Sequence, residues 1–246
     1  MFHDVQCITF DLDDTLWDIA PTIRHAEAVF YQWLELHYPH ITQRKTPADL
    51  FAHRLAFMRE HPAMRHDLTR LRKAWLEKLA RATETANFRV DEGFQVYWEA
   101  RNEVQIYDHV EQTLEQLGAH YAIGAITNGN ASVERIGIAH LFDFVVTSAQ
   151  AGAAKPNREI FAAASRCAGI PIAQLLHVGD DAEHDVAGAL AAGARAVWVT
   201  GDPSGWRGSP QPQLIVAHVR ELLDHLPAVA VADSSLAKKG QTLSSR

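Results

Sequence analysis

Short, nearly continuous apolar runs recur along this chain, with longer helical periods between them. Val5–Phe10 (VQCITF), Tyr121–Ile126 (YAIGAI), Phe142–Ser148 (FDFVVTS), Gln174–Gly179 (QLLHVG) and Arg195–Thr200 (RAVWVT) are five such runs. Each is bounded by turn or helix signals. A strand covered on both faces must be apolar throughout, as in a parallel sheet buried under helices. The stretch KPNREIFAAASRCAG places Pro156 near a first helical position and ends at Gly169, and DVAGALAAGA ends at Gly193. Strand–helix alternation from about residue 106 to 200 predicts an α/β fold with a Rossmann-like parallel sheet. LIVAHVRELLDHL adds a short last strand and helix after a Gly/Pro/Ser-rich loop, and the polar tail at 229–246 is expected to fray.

Residues 19 to 105 follow a different period. Ile23, Glu27, Phe30, Leu34 and His37 recur at helical spacing, and Leu68, Leu71, Trp75 and Leu79 form one apolar face. Thr46, Pro47 and Asp49 form a capping pattern for another helix, and DEGFQVYWEARNEV supplies a fourth. The pattern therefore predicts an α/β core from 1–18 and 106–228, interrupted by an all-helical insert at 19–105.

Composition narrows the classes. Of 246 residues, 47% are hydrophobic, enough for a sizeable core, and the formal charge of −7 argues against a general nucleic-acid grip. No run approaches the about 20 apolar residues that span a bilayer, so no membrane partner is expected. The first residues, MFHDVQ, do not read as a secretory leader. Cys7 and Cys167 form no CxxC pair, and both are expected to be buried, reduced thiols of a cytoplasmic protein.

The chemistry gathers where the runs end. The first run passes into Asp11, Asp13 and Asp14 within four residues. Like charges so close repel by about 4 kcal/mol per pair at 4 Å near a protein surface. The second run ends in Thr127-Asn128-Gly129-Asn130, the fourth in Gly179-Asp180-Asp181 with Asp185 shortly after, and Lys155 opens the helix that follows the third. In an open parallel sheet, ligands bind beyond the carboxyl ends of the strands. Alternate residues of an extended chain share a face, so Asp11 and Asp13 point into one pocket, joined there by Asp180. An all-oxygen acidic pocket suits Mg²⁺ better than Zn²⁺. His177 and His184 lack ligand spacing and are not expected to bind metal.

Taken in order, Asp11-Leu12-Asp13-Asp14-Thr15, Thr127 in AITNGN, Lys155 in AAKPN and the acidic VGDDAEHD resemble the four motifs of the haloacid dehalogenase superfamily of phosphatases. The helical insert resembles the cap those enzymes place after the first motif. Closer similarity, in TFDLDDTLWD, HDLTRLR, AITNGN and LHVGDD, is to bacterial flavin-mononucleotide and ribitylaminouracil-phosphate phosphatases of riboflavin metabolism.

The resemblance implies Asp11 as nucleophile, forming an aspartyl-phosphate, and Asp13 as acid and base. It implies Mg²⁺ on Asp11, Asp13 (through its main-chain carbonyl) and Asp180. Thr127, Asn128 and Lys155 would bind phosphate, with Asp181 and Asp185 behind Lys155 or a metal-bound water. The substrate would be a small phosphorylated metabolite. In the cap, Trp17, Arg70 and Arg72 are candidate substrate-facing residues, while Trp33, Trp75 and Trp98 are expected chiefly to pack the helices against one another. Rival readings are a phosphomutase, a dehalogenase of the same superfamily and a non-catalytic binding domain. Asp13 argues against the dehalogenase, whose chemistry needs no leaving-group acid, and the intact motif set argues against the binding domain.

Overall fold

The computed structural model describes residues 2–207 and 210–226, so the tail expected at 229–246 lies outside the described residues. Six parallel strands form one sheet: β1 (Cys7–Phe10), β2 (Ala122–Thr127), β3 (Phe144–Thr147), β4 (Leu175–Gly179), β5 (Arg195–Val199) and β6 (Leu214–Val216), in the order β3-β2-β1-β4-β5-β6. This is the doubly wound, Rossmann-like α/β order. β1 lies at its centre, with Phe10 opposite Ala125 on one side and Val178 on the other.

The apolar runs are continuous because both faces are covered. Ile8, Phe10, Ile123, Ala125, Leu176 and Val178 enter one core, while Cys7, Ile126 and Leu175 enter the other. Alternation along each strand divides the run between the two faces.

Between β1 and residue 101 the chain forms five α-helices: α1 (Ile19–His37), α2 (Pro39–Thr42), α3 (Pro47–Glu60), α4 (Leu68–Ala82) and α5 (Val90–Arg101). The Thr46/Asp49 pair forms the capping box of α3. These helices enclose a third core, in which Phe30, Leu34, Leu71, Trp75, Leu76 and Leu79 are nearly inaccessible. α6 (Val110–Gly118), α7 (Val133–Ile136), α8 (Ser148–Ala151), α9 (Arg158–Ala168), α10 (Gly188–Ala192) and α11 (Leu222–His225) complete the fold.

Three local expectations need correction. The helix expected from Pro156 starts at Arg158, because the Asn157 side chain accepts from the Glu159 amide and takes the N-cap; Lys155 therefore sits in the preceding loop. Cys7 is buried, but Cys167 is exposed in the last turn of α9, beyond the buried Ile160, Phe161 and Ala164. The segment DVAGALAAGA is not one α-helix: Ala182–Ala187 forms a π-helical turn before α10. Such turns are frequent at functional sites. Among the described residues, no helix is long and apolar enough to cross a membrane.

Candidate active site

The strand order reverses direction of growth at β1 and β4, and a crevice opens beyond their carboxyl ends. Asp11 begins where β1 ends and stays tied to β4 through its amide, which donates to the Val178 carbonyl at 2.8 Å. Asp14 then turns the chain at φ +61°, with its amide donating to the Trp17 carbonyl. The turn leaves Asp11 and Asp13 lining a cleft of about 200 Å³ together with Thr127, Asn128, Lys155, Asp180 and Asp185.

Lys155 is the positive centre of this cleft. Its Nζ lies 2.6 Å from Asp11 Oδ1, 2.6 Å from Asp185 Oδ1 and 3.0 Å from the Ile126 carbonyl, with the side chain 2% exposed. Asn128 fixes the loop that carries it: the Asn128 amide group donates to the Lys155 carbonyl and accepts from the Lys155 amide. The Asn128 side chain is thus engaged with the protein, and its carbonyl accepts from Ser148 Oγ at 3.3 Å. Thr127 is buried at the end of β2, where its Oγ1 accepts from the Gly129 amide at 2.9 Å.

Asp185 is buried, and its second oxygen accepts from the Asp181 amide at 3.0 Å. The π-helical turn delivers it there, and Gly179 makes room: a Cβ at Gly179 would stand 2.3 Å from Asp185 Cγ. Asp181 also lines the cleft, but its side chain accepts from the Glu183 and His184 amides and pairs with His184. Of the two, only Asp185 touches Lys155.

The electrostatics follow from burial. Desolvation pushes Asp11 well above the usual carboxylate range, since Lys155 is shared with Asp185 and neighbouring acids add repulsion. Burial and Asp185 raise Asp180 to about 6, although Thr15 Oγ1 donates to it at 3.1 Å. Burial also opposes ionisation of Asp185, but Lys155 and His177 hold it below its ordinary value. Oxygen atoms of Asp11, Asp180 and Asp185 all lie within 4.8 Å of one another. Lys155 pairs with Asp11 and Asp185 but not with Asp180, so the cluster keeps an excess of hard oxygen donors that fits a divalent cation such as Mg²⁺. The Asp13 carboxylate is not in this group.

Asp13 is held elsewhere. Arg101 Nη2 donates to both of its oxygens, at 2.8 and 2.6 Å, and Trp17 Nε1 donates to Oδ1 at 2.9 Å. Arg101 is the last residue of α5 and lies in none of the four motifs, so no sequence signal singles it out. His177 lacks the spacing of a metal ligand, and the structure gives it other partners. Its Nδ1 lies 3.0 Å from Thr9 Oγ1 and its Nε2 lies 3.1 Å from Asp185 Oδ1. Burial lowers its pKa, so the ring is neutral, and a carboxylate neighbour requires the proton on Nε2.

Of the candidate substrate-facing residues, Trp17 and Arg72 are buried and engaged with the protein, whereas Arg70 is exposed. Trp17 is fully buried and packs in the sheet's core while its indole holds Asp13. Arg72 is 5% exposed: it pairs with Glu27 at 2.8 and 3.0 Å and stacks 3.2 Å from the centre of the Tyr97 ring. Arg70 borders a surface hollow with His61, Met64, Thr69 and Lys73, and Thr69 also lines the cavity beside Trp98. Trp33 and Trp75 pack the helical core. Trp98 differs. It lines a cavity of about 330 Å³ with His66, Thr69, Phe94, Asn130 and Ser132, and this cavity shares Gly129 with the acidic cleft.

A family model of haloacid dehalogenase-like hydrolases matches residues 5–193. The chain is 31% identical over 199 residues to the 5-amino-6-(5-phospho-D-ribitylamino)uracil phosphatase YigB of Escherichia coli, covering 79% of this chain and 83% of that protein. It is 29% identical over 212 residues to the phosphoglycolate phosphatase of Aliivibrio fischeri, covering 81% and 86%. Among solved structures, one described as a 2-haloacid dehalogenase from Pseudomonas syringae superposes with a TM-score of 0.82 at 34% identity, covering 89% of this chain and 97% of that one.

Proposed function

The chain belongs to the haloacid dehalogenase-like hydrolases, and we propose that within this family it is a Mg²⁺-dependent phosphomonoesterase working through an aspartyl-phosphate on Asp11. The observation that carries this reading is a division of labour among carboxylates. Asp11, Asp180 and Asp185 cluster around one point, while Asp13 stands apart with partners of its own.

Asp11 attacks phosphorus, and the bond to the leaving oxygen breaks as Asp13 delivers a proton to it. Asp13 then takes a proton from water, which attacks the same phosphorus and releases phosphate and free Asp11. Lys155 and the Thr127–Gly129 segment bind the phosphoryl oxygens throughout, so positioning and charge do most of the catalysis. Asp11, Asp180 and the main-chain carbonyl of Asp13 would hold Mg²⁺, which when bound offsets the negative charge of carboxylates and phosphoryl group alike.

Residues 19–105 act as a cap over the substrate and exclude water from the first step. The leaving group occupies the cavity beside Trp98. A planar ring there, as in flavin mononucleotide or a ribitylaminouracil phosphate, suits its aromatic lining. The name of the Escherichia coli relative supports the same class.

Likeness to the Pseudomonas 2-haloacid dehalogenase structure favours a second reading, hydrolytic dehalogenation, in which Asp11 attacks carbon and halide departs. A departing halide needs neither a proton from Asp13 nor a cation, so the acidic cluster supports phosphate chemistry. The deciding experiment compares phosphate release from flavin mononucleotide with chloride release from 2-chloropropionate, each with Mg²⁺ and with EDTA. Phosphate release that requires Mg²⁺ and drops by more than about a thousandfold in Asp11→Asn supports the proposal. Metal-independent chloride release would overturn it.

A further inference from the structure

We propose that Arg101 is a positioning residue: it fixes the Asp13 carboxylate for proton transfer and ties that geometry to docking of the cap. This rests on the reading of Asp13 as the acid and base. Both Asp13 oxygens accept from Arg101 Nη2, at 2.8 and 2.6 Å, and the arginine side chain is 2% exposed. Charge-assisted bonds of this length are about twice as strong as neutral ones. Its other contacts are weaker. Nε reaches Asn130 Oδ1 at 3.3 Å, and Nη1 has no partner among the described residues. Asp13 is therefore the group that this guanidinium is placed to hold.

Arg101 also spans two parts of the molecule. It comes from the last position of α5, whereas Asp13 follows β1. The same helix end is fastened to the segment after β2 at neighbouring positions. Trp98 Nε1 donates to the Asn130 carbonyl at 2.8 Å, and the Ser132 amide donates to Asn102 Oδ1 at 2.7 Å. Those two contacts dock the helix end without entering the acidic cleft. The Arg101–Asp13 contact adds something they do not, because it lies inside the site. A Cβ at Gly129 would be 2.7 Å from Asp13 Oδ2, 3.2 Å from Arg101 Nη2 and 3.2 Å from Thr127 Oγ1. Without Arg101, the Asp13 carboxylate keeps only the Trp17 bond on one oxygen and is free to rotate about its side-chain torsions. A misplacement of about 1 Å in such a group costs on the order of a hundredfold in rate.

The test uses leaving groups. Departure of an alkoxide from flavin mononucleotide needs a proton, whereas nitrophenolate leaves from p-nitrophenyl phosphate without one. In the full-length protein, Arg101→Met should lower kcat/KM for flavin mononucleotide by about 100-fold but for p-nitrophenyl phosphate by less than about threefold. Arg101→Lys should restore part of the loss, and it carries the same comparison if the methionine variant does not fold. In an Asp13→Asn background, adding Arg101→Met should change kcat/KM for flavin mononucleotide by less than about twofold, because the two residues act as one unit. Equal losses on both substrates, or losses that multiply in the double variant, would overturn the assignment and leave Arg101 as a docking contact. Wild-type kcat/KM in Asp13→Asn alone would remove the acid–base reading itself, and this inference with it.

Discussion

Replacing Lys155 with Met removes the cation at the centre of a buried acidic cluster and nearly preserves side-chain volume. Nζ stands 2.6 Å from both Asp11 Oδ1 and Asp185 Oδ1. At an effective dielectric near 20, each of those pairs attracts by about 6 kcal/mol, before the cost of desolvating the lysine is subtracted. Breaking a buried ion pair costs about 3–5 kcal/mol net. Proton uptake sets an upper limit on that cost. An ordinary aspartate titrates near 3.8, so protonating one carboxylate of the cluster in place of Lys155 costs about 1.36 × (7 − 3.8), or about 4 kcal/mol, at pH 7.

At pH 5 the same step costs about 1.36 × (5 − 3.8), or about 1.6 kcal/mol. The folded variant binds a proton that its unfolded chain has lost, so its deficit grows as pH rises and shrinks as pH falls. Urea denaturation of wild type and Lys155→Met in EDTA, at pH 5 and pH 7, measures this. The expected gap is about 3–4 kcal/mol at pH 7 and about half that or less at pH 5. A gap below about 1 kcal/mol at pH 7, or one that widens toward pH 5, would refute the idea that Lys155 balances the cluster.

Gly179→Ala places a Cβ 2.3 Å from Asp185 Cγ; it should cost about 1–3 kcal/mol in thermal or urea unfolding and more than about tenfold in phosphatase kcat, because Asp185 must leave Lys155. Glu27→Ala should destabilise by about 3 kcal/mol by leaving Arg72 as an unpaired buried cation, with little change in KM. Glu27 titrates below its ordinary 4.5 because Arg72 and Arg54 outweigh its burial. That contribution is complete above pH 4.5 and is lost as pH falls, so wild type and variant should converge in acid. Trp98→Leu should lower the kcat/KM preference for flavin mononucleotide over a hexose phosphate by about 2- to 13-fold, the worth of one stacked ring; an unchanged ratio would show that the ring lies elsewhere.

Placements that depend on local spacing were legible in the chain itself. Five apolar runs and their flanking turns located the strands, and three strand ends together carried Asp11, Thr127 and Asp180. The helical character of residues 19–105 and the Thr46 cap likewise follow from period and nearest neighbours. A parallel sheet aligns its carboxyl ends, so motifs far apart in sequence meet without any further information.

Tertiary packing decided the rest. Whether Asp181 or Asp185 faces Lys155 depended on a π-helical turn and on the space left by Gly179, neither of which has a compositional mark. Arg72 stood among the candidate substrate-facing residues, yet Glu27 and Tyr97, distant in sequence, draw it into the helical core. Arg101 showed the reverse. It ends an ordinary amphipathic helix, 88 positions from Asp13, and it became part of the site only when α5 docked against the segment after β2. A side chain's period assigns it to a face of its own element, but the charge waiting on the facing element determines what it does there.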